Sequence, residues 1–166
     1  YDPSAMTLGG VTTGTDAGTY TATFTPKEKY QWSDGTKTAK QVTWKIDRAS
    51  MAAPTQSGSL TFNGSPQSPS WSGYDTGKMT LGGTTTGTNA GSYNATFTPS
   101  ANYKWSDGST GTKTVVWRIG KAAGSLSLNK TSMKLTAAKK TDTITVTRAG
   151  DGVITATSNA SGVASV

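Results

Sequence analysis

Residues 1–49 read YDPSAMTLGGVTTGTDAGTYTATFTPKEKYQWSDGTKTAKQVTWKIDRA, and residues 74–122 read YDTGKMTLGGTTTGTNAGSYNATFTPSANYKWSDGSTGTKTVVWRIGKA. The two stretches align at a constant offset of 73 without insertion or deletion, and 29 of 49 positions are identical. A repeat of this length, filled with short alternating segments, predicts a tandem array of small β-domains. No counterpart of residues 49–73 precedes the first copy. We therefore expect the chain to open in the middle of a structural unit.

Two alternating runs in each copy predict the central strands. Tyr20, Ala22 and Phe24 alternate with threonines, and the second copy repeats this pattern over residues 92–98. The later run places Val42, Trp44 and Ile46 at every second position, again with a repeat 73 residues on. Period-two alternation is typical of strands with one buried face, so we expect the tyrosines and tryptophans of these runs to be buried.

Turn signals separate the predicted strands. Asp-Gly pairs begin at Asp34 and Asp107, and both residue types tolerate the backbone conformations of tight turns. Residues 49–73 add a short strand at Leu60 and Phe62 and a bend that leads to Trp71. Residues 49–121 should therefore form a complete unit of about six or seven strands.

The pattern changes after residue 122, where a different β-unit is expected. A pair of apolar residues marks the centre of each predicted strand: Leu126/Leu128, Met133/Leu135, Ile144/Val146 and Val153/Ile154. A turn at Asp151-Gly152 is predicted between the third and the fourth of these strands. The segment ends before the closing strands that a sandwich would need.

The repeated motifs AGTYTATFTP, YQWSDGT and VTWKI resemble those of bacterial immunoglobulin-like repeats found in surface proteins and in phage tail or virion proteins. The sequence GSLSLNKTSMKLTA, with TITVTRAGDGVITATSN, resembles a second group of bacterial immunoglobulin-like domains. The resemblance implies an all-β fold of tandem immunoglobulin-like β-sandwich domains, with both chain ends inside a domain. It assigns residues 1–48 to the C-terminal part of one repeat, residues 49–121 to a complete repeat, and residues 122–166 to the N-terminal part of the second type.

Composition excludes several classes of function. The chain has no cysteine and no histidine, so disulfides, thiolate metal sites and the usual Ser-His and Cys-His nucleophiles cannot form. Its net charge is +7, but the lysines are dispersed rather than gathered into a nucleic-acid-binding stripe. No window approaches the roughly 20 apolar residues of a membrane span. We expect neither a nucleic-acid nor a membrane partner.

The acidic residues give little support to catalysis or metal binding. Asp16 is replaced by Asn89 in the second copy and Asp47 by Gly120, which argues against a carboxylate pair that includes either of them. The one interior acid kept in both copies, Asp34 and Asp107, is explained by its Asp-Gly turn. We expect no enzyme activity and no cofactor, and calcium at an inter-domain junction near Asp47 or Asp75 remains a minor alternative.

Aromatic residues are the best candidates for ligand binding. Sugars are often held by an exposed aromatic face with polar groups beside it. Trp71 lies between SPS and SGYD, and Tyr30, Tyr103 and Trp105 flank the Asp-Gly turns. Packing inside the sandwich is the alternative role for each tryptophan.

Two functions are favoured over a third, an accessory region of an extracellular enzyme whose catalytic domain lies elsewhere in a longer protein. The first is a non-catalytic spacer and weak adhesin on a phage virion or a bacterial cell surface, hence extracellular. The second is a dedicated carbohydrate-binding module. The expected partners are bacterial surface glycans or cell-wall polymers and neighbouring subunits or copies. An unfinished sandwich leaves an apolar face open, so we expect residues 1–48 and 123–166 to pair with each other, with flanking sequence, or with neighbouring subunits by strand complementation.

Overall fold

A computed structural model describes residues 1–138, 141–150 and 153–157. Within these ranges the chain is all-β, as predicted, with thirteen strands and no helix, and therefore with no helix able to span a bilayer. The strands are β1 (Met6–Gly10), β2 (Gly18–Pro26), β3 (Lys40–Ile46), β4 (Ala49–Met51), β5 (Thr55–Ser57), β6 (Leu60–Thr61), β7 (Ser70–Ser72), β8 (Met79–Gly83), β9 (Gly91–Pro99), β10 (Tyr103–Trp105), β11 (Lys113–Gly120), β12 (Ser125–Leu128) and β13 (Val146–Ala149).

The first copy of the repeat forms an antiparallel sheet in the order β1-β2-β3. Both alternating runs predicted from the sequence are strands of this sheet, β2 and β3, and Tyr20 lies opposite Trp44 across them. Proline ends β2 because it has no N–H to donate to a ladder. The Asp-Gly turn that precedes β3 places Gly35 at a φ of +78°, a conformation that glycine adopts without strain.

The second copy repeats this sheet with the same register and adds a fourth strand. Strands β8, β9 and β11 pair as β1, β2 and β3 do, and Tyr93 lies opposite Trp117. The added strand is β6, which runs parallel to β11 along its outer edge and gives the order β6-β11-β9-β8.

Residues 49–73 belong structurally to the second copy. Strand β4 pairs in parallel with β10, and β5 pairs with β7. Residues 49–121, all of which the structure describes, thus contain eight strands, more than the six or seven predicted. In the first copy, residues 30–32 correspond to β10 but form no strand.

The hydrophobic core lies in the second copy. Its buried cluster consists of Met79, Ala95, Phe97, Trp105, Trp117 and Ile119, which are between 0 and 2% exposed. The predicted burial is confirmed for Trp117. It is wrong for Tyr20, Trp44 and Tyr93, which are only partly buried. The local pattern of each strand selects the apolar face correctly, but the cover above that face comes from elsewhere in the chain.

The segment after residue 122 departs from its predicted pattern. Strands β12 and β13 form a two-stranded antiparallel pair, which confirms the strand centre at Leu126 and Leu128 and places Val146 in β13. The predicted strand at Met133 and Leu135 is wrong: both residues are exposed and outside any described strand. Val153 and Ile154 are likewise exposed and not in a strand. A strand needs a partner, and neither of these two segments pairs with a described strand. The Asp151-Gly152 turn lies outside the described residues.

Candidate functional site

The four aromatic residues predicted to bind ligands differ greatly in exposure. Trp71, in β7, is partly buried, and its ring meets Phe97 edge-to-face at 4.9 Å between centroids. Tyr103 and Trp105 lie in β10, where Tyr103 is partly buried and Trp105 is 0% exposed. Tyr30 is 46% exposed. Trp105 therefore presents no ring face to a ligand in this conformation, and Tyr30 presents the most.

The turn beside Trp105 is held together by contacts among its own residues and Lys113. Asp107 accepts hydrogen bonds from the backbone N–H of Ser109 at 2.9 Å and from its hydroxyl at 2.7 Å. Lys113 pairs with the same carboxylate at 2.6 Å, and its ammonium lies 5.5 Å from the Trp105 ring centroid. The hydrogen bond from Lys113, with those from Ser109, lowers the pKa of Asp107 well below its usual range. A carboxylate held ionised in this way cannot serve as a general acid near neutral pH.

The first copy builds the same turn. Asp34 accepts from the backbone and the hydroxyl of Thr36 and pairs with Lys40 at 2.5 Å, and these contacts also lower its pKa. The Trp32 indole donates to the carbonyl of Thr38 at 2.8 Å. The interior acid that both copies keep, Asp34 and Asp107, is thus explained by the turn, as the sequence predicted.

A stacked Tyr-Trp pair fixes the loop that precedes β9. Tyr93 stacks on Trp117 with 4.5 Å between centroids and an interplanar angle of 21°. The Tyr93 hydroxyl donates to the carbonyl of Asn89 at 2.6 Å, and the Trp117 indole donates to the carbonyl of Thr84 at 2.7 Å. Gly87 lies directly against the tyrosine ring, where a Cβ would overlap it. Both aromatic side chains therefore hold this loop through their hydroxyl and indole N–H groups.

The pair recurs almost unchanged in the first copy. Tyr20 stacks on Trp44 at 4.6 Å and 24°, and the Tyr20 hydroxyl donates to the carbonyl of Asp16 at 2.6 Å. The sheets of the two copies therefore share their internal geometry. They differ in what lies on top of them.

One face of the first sheet lacks the cover that its counterpart has. Phe97 is in contact with two aromatic rings, Trp71 at 4.9 Å and Tyr74 at 5.6 Å. Its counterpart Phe24 is in contact with one described ring, Tyr1, at 5.7 Å. We call this surface the open face. The strand register places on it the apolar side chains of Met6, Leu8, Ala22, Phe24, Val42, Trp44 and Ile46.

Polar contacts join the first copy to the second. Asn102 accepts from the backbone N–H of Ala17 and donates to the carboxylate of Asp16, both at 2.7 Å. Arg48 donates to the carbonyl of Ala101 at 2.8 Å. These contacts seat the loop ahead of β10 between the ends of β2 and β3 in the first sheet. The equivalent positions of the second copy are Asn89, Ala90, Lys121 and Ala122. Together with Phe62 and Gly150 they line a cavity of about 470 Å³.

The described residues contain no cluster of three acidic residues that would hold a metal ion. The two carboxylates considered for calcium have lysine partners instead: Asp47 pairs with Lys45 and Asp75 with Lys78, each at 3.0 Å. Both pairs are well exposed, as is usual for ion pairs that only solubilise a surface.

No family model, curated protein or solved structure matches the chain. The internal repeat is therefore the best guide to function. Both copies keep the Asp-Gly turn, the Tyr-Trp stack and the strand register, so these features serve the fold. The coverage of the aromatic residues is what differs between the copies.

Proposed function

We propose that the chain is a non-catalytic structural and adhesive module of a phage virion, as a tail or decoration component, or of a bacterial surface protein. In this proposal, tandem immunoglobulin-like β-sandwich units act as a spacer with weak adhesion to surface glycans. The units are residues 1–48, residues 49–121 and residues 122–166, of which the second is complete. The setting is extracellular.

The observation that carries the proposal is the use made of the aromatic residues. Phe97, Trp105 and Trp117 are each 0% exposed, and the indole N–H groups of both tryptophans donate to backbone carbonyls. The side chains best suited to ligand recognition are therefore buried and stabilise the sheets. Asp34 and Asp107 are likewise used in turns, and Asp47 and Asp75 in exposed ion pairs. A module of this kind supplies length and surface rather than a reaction.

Weak adhesion follows from the charge of the chain. A net charge of +7 attracts acidic cell-wall polymers without a shaped site. Such attraction is screened by salt, because the Debye length falls from about 10 Å at 0.1 M to about 3 Å at 1 M. Adhesion of this origin should therefore vanish at high ionic strength.

A dedicated carbohydrate-binding module is the second candidate, and the exposure of Tyr30 favours it. That ring is 46% exposed beside the partly buried Trp32. Trp71 also keeps part of its surface accessible above Phe97. Sugar stacking on such rings would depend on the aromatic surface and hardly on salt.

The two functions can be separated by measuring binding of the chain to purified bacterial cell walls and to a glycan panel. Each measurement is made in about 0.1 M and in about 1 M salt. The variants are Tyr30→Ala and Trp71→Ala, with Tyr30→Phe as the control that keeps the ring. Thermal unfolding of each variant checks that it is folded. A spacer should bind weakly without saturation, lose binding at high salt and respond to no tyrosine variant. Saturable binding that survives salt, is lost in Tyr30→Ala or Trp71→Ala and persists in Tyr30→Phe would replace the spacer with a glycan-recognition module.

A further inference from the structure

We propose that the cavity of about 470 Å³ lined by Phe62 and Asn89 is a binding site for a carboxylate-bearing sugar residue of an acidic surface polysaccharide. The inference rests on the proposed adhesive function and deepens it, because it names a class of ligand and the place where that ligand binds. In the first copy, the matching position already holds a polar side chain, which shows what kind of group such a position binds.

This position is a notch at the sheet end where the second long strand of a copy leaves its turn and the third one finishes. In the first copy it consists of residues 16–18 and 46–48, and we call it the first notch. Residues 89–91 and 119–121, found 73 positions later, form the second notch. The two notches are structurally equivalent because the strands that carry them pair in the same register.

The first notch binds the side-chain amide of Asn102. The Ala17 N–H donates to the amide oxygen, and the Asp16 carboxylate accepts from the amide nitrogen, each at 2.7 Å. The Asn102 carbonyl also accepts from the N–H of Ala49 at 2.9 Å, which holds the backbone of this loop beside the notch. A backbone donor and a neighbouring side chain thus bind the two polar atoms of one planar group.

Both acids of the first notch have neutral counterparts in the second. Asp16 corresponds to Asn89, and Asp47 corresponds to Gly120. A carboxylate ligand would be repelled by an aspartate at this position, whereas the side-chain amide of Asn89 has two N–H groups to donate to it. Hydrogen bonds to an ionised acceptor are roughly twice as strong as neutral ones, so the exchange favours a carboxylate over a carboxamide.

The other donors of the notch are kept in the second copy. Ala90 is identical to its counterpart in the first notch, and no described residue accepts from its N–H. Tyr93 binds the backbone carbonyl of Asn89, and no described residue binds the Asn89 side-chain amide. Lys121 stands where the first notch has Arg48, so a cation is retained beside the cavity. The second notch therefore offers hydrogen-bond donors to a negatively charged planar group.

Phe62 gives the cavity the apolar wall that a sugar requires. Its side chain is 39% exposed, and its N–H donates to the carbonyl of Gly120 at 2.9 Å, which fixes its backbone at the edge of the second notch. Sugars bind where an aromatic face has polar groups beside it, and small-ligand sites typically enclose roughly 300–1,000 Å³. A cavity of about 470 Å³ has room for a sugar residue whose carboxylate lies in the notch.

The test is a titration of the whole isotope-labelled chain, followed by two-dimensional NMR of its backbone amides. The main ligand is methyl glucuronide, which carries a carboxylate. In methyl glucuronamide a carboxamide replaces this group, in methyl glucoside a hydroxymethyl group does, and sodium acetate supplies a carboxylate without a sugar ring. The amide signal of Ala90 reports on the second notch. That of Ala17, which is already bonded to Asn102, is a matched control within the same molecule.

Two substitutions test the roles of the lining residues. Asn89→Asp gives the second notch the residue of the first. The fold accommodates an aspartate there, because the backbone carbonyl of Asp16 accepts from its tyrosine at 2.6 Å just as that of Asn89 does. Phe62→Leu keeps an apolar side chain and removes the aromatic face.

We expect methyl glucuronide to shift the Ala90 signal with saturation in the millimolar range, and to leave the Ala17 signal unchanged. Affinity in this range makes the site a source of weak adhesion. Asn89→Asp should weaken glucuronide binding by about tenfold or more and reverse the preference towards the glucuronamide, because a carboxylate accepts from an amide and repels an acid. Phe62→Leu should weaken glucuronide binding by about threefold or more.

Four results would overturn the proposal. Equal binding of the glucuronide and the glucoside, or glucuronide binding unchanged in Asn89→Asp, would show that the notch does not recognise the carboxylate. Acetate binding as tight as that of the glucuronide would show a site for simple anions rather than for sugars. No saturable shift of Ala90 would show that the cavity takes none of these ligands. None of these results decides whether net charge attaches the chain to cell walls, so the site and the proposed function can fail separately.

Discussion

Replacing the equivalent phenylalanines Phe24 and Phe97 by alanine compares how deeply other segments bury the apolar face of each sheet. Phe97 is 0% exposed and contacts two aromatic rings, while Phe24 is partly buried and contacts one among the described residues. The local sequence is the same on both sides of each phenylalanine, Ala-Thr-Phe-Thr-Pro. Any difference between Phe97→Ala and Phe24→Ala therefore comes from tertiary cover rather than from strand propensity.

The expected magnitudes follow from burial. Phenylalanine-to-alanine substitution in a closed core costs about 3–5 kcal/mol, which includes the cavity left behind. Each edge-to-face ring contact contributes about 0.5–1.5 kcal/mol of that loss. At Phe24 the site is open on one side, so water fills the space and the cavity contribution is small. We expect about 4 kcal/mol for Phe97→Ala and about 1–2 kcal/mol for Phe24→Ala.

Urea unfolding followed by tryptophan fluorescence and by circular dichroism gives both values. If the two copies unfold in separate transitions, each variant is scored on the transition of its own copy. Unchanged m values would show that the substitutions alter stability rather than the surface exposed on unfolding. Equal losses in the two variants would refute the reasoning, because the face of the first sheet would then be as well covered as that of the second.

Three further outcomes can be checked by unfolding or exchange measurements. Gly87→Ala should lower the melting temperature by several degrees because its Cβ would overlap the Tyr93 ring, whereas Gly91→Ala, with open space around its Cβ, should change it far less. The lowered pKa of Asp107 means that its contribution to stability is present above the unfolded value of 3.8 and is lost as the pH falls below it. Asp107→Asn should accordingly show a smaller drop in melting temperature between pH 7 and pH 3 than the unaltered chain, and an equal drop would count against the ion pair. Asn102→Ala should cost on the order of 1 kcal/mol and speed hydrogen exchange of the backbone amide that donates to it, without changing exchange in β9.

The long strands were predictable because the information that specifies them is local. Strands β2, β3, β9 and β11 all contain period-two runs, and the turn before each later run contains an Asp-Gly pair. The short strands were harder, because their pairing is remote in sequence: Gln56 in β5 bonds Arg118, 62 residues away. No pattern within three residues distinguishes such a segment from a loop. After residue 122, apolar spacing alone suggested strands that have no partner among the described residues.

Burial of the candidate site residues was the part that sequence could not decide. Trp44 and Trp117 occupy matching positions in matching strands, yet one is partly buried and the other fully buried. Likewise Trp105 is closed off by β4, while Trp32 in the same motif is not. Alternation predicts which way a side chain points. It says nothing of whether another segment lies above that face.

The close agreement between the two sheets shows that their internal geometry does not depend on the segments packed on them. The Tyr-Trp stack measures 4.6 Å and 24° without the cover and 4.5 Å and 21° with it, and the strand register is the same in both copies. The hydrogen bonds from tyrosine to the preceding loop also agree, at 2.6 Å in each. The sheet of the first copy thus has the same internal geometry although its phenylalanine contacts fewer aromatic rings. The repeated local sequence therefore determines the conformation of each sheet, and the segments packed on a sheet change the burial of its side chains rather than its geometry.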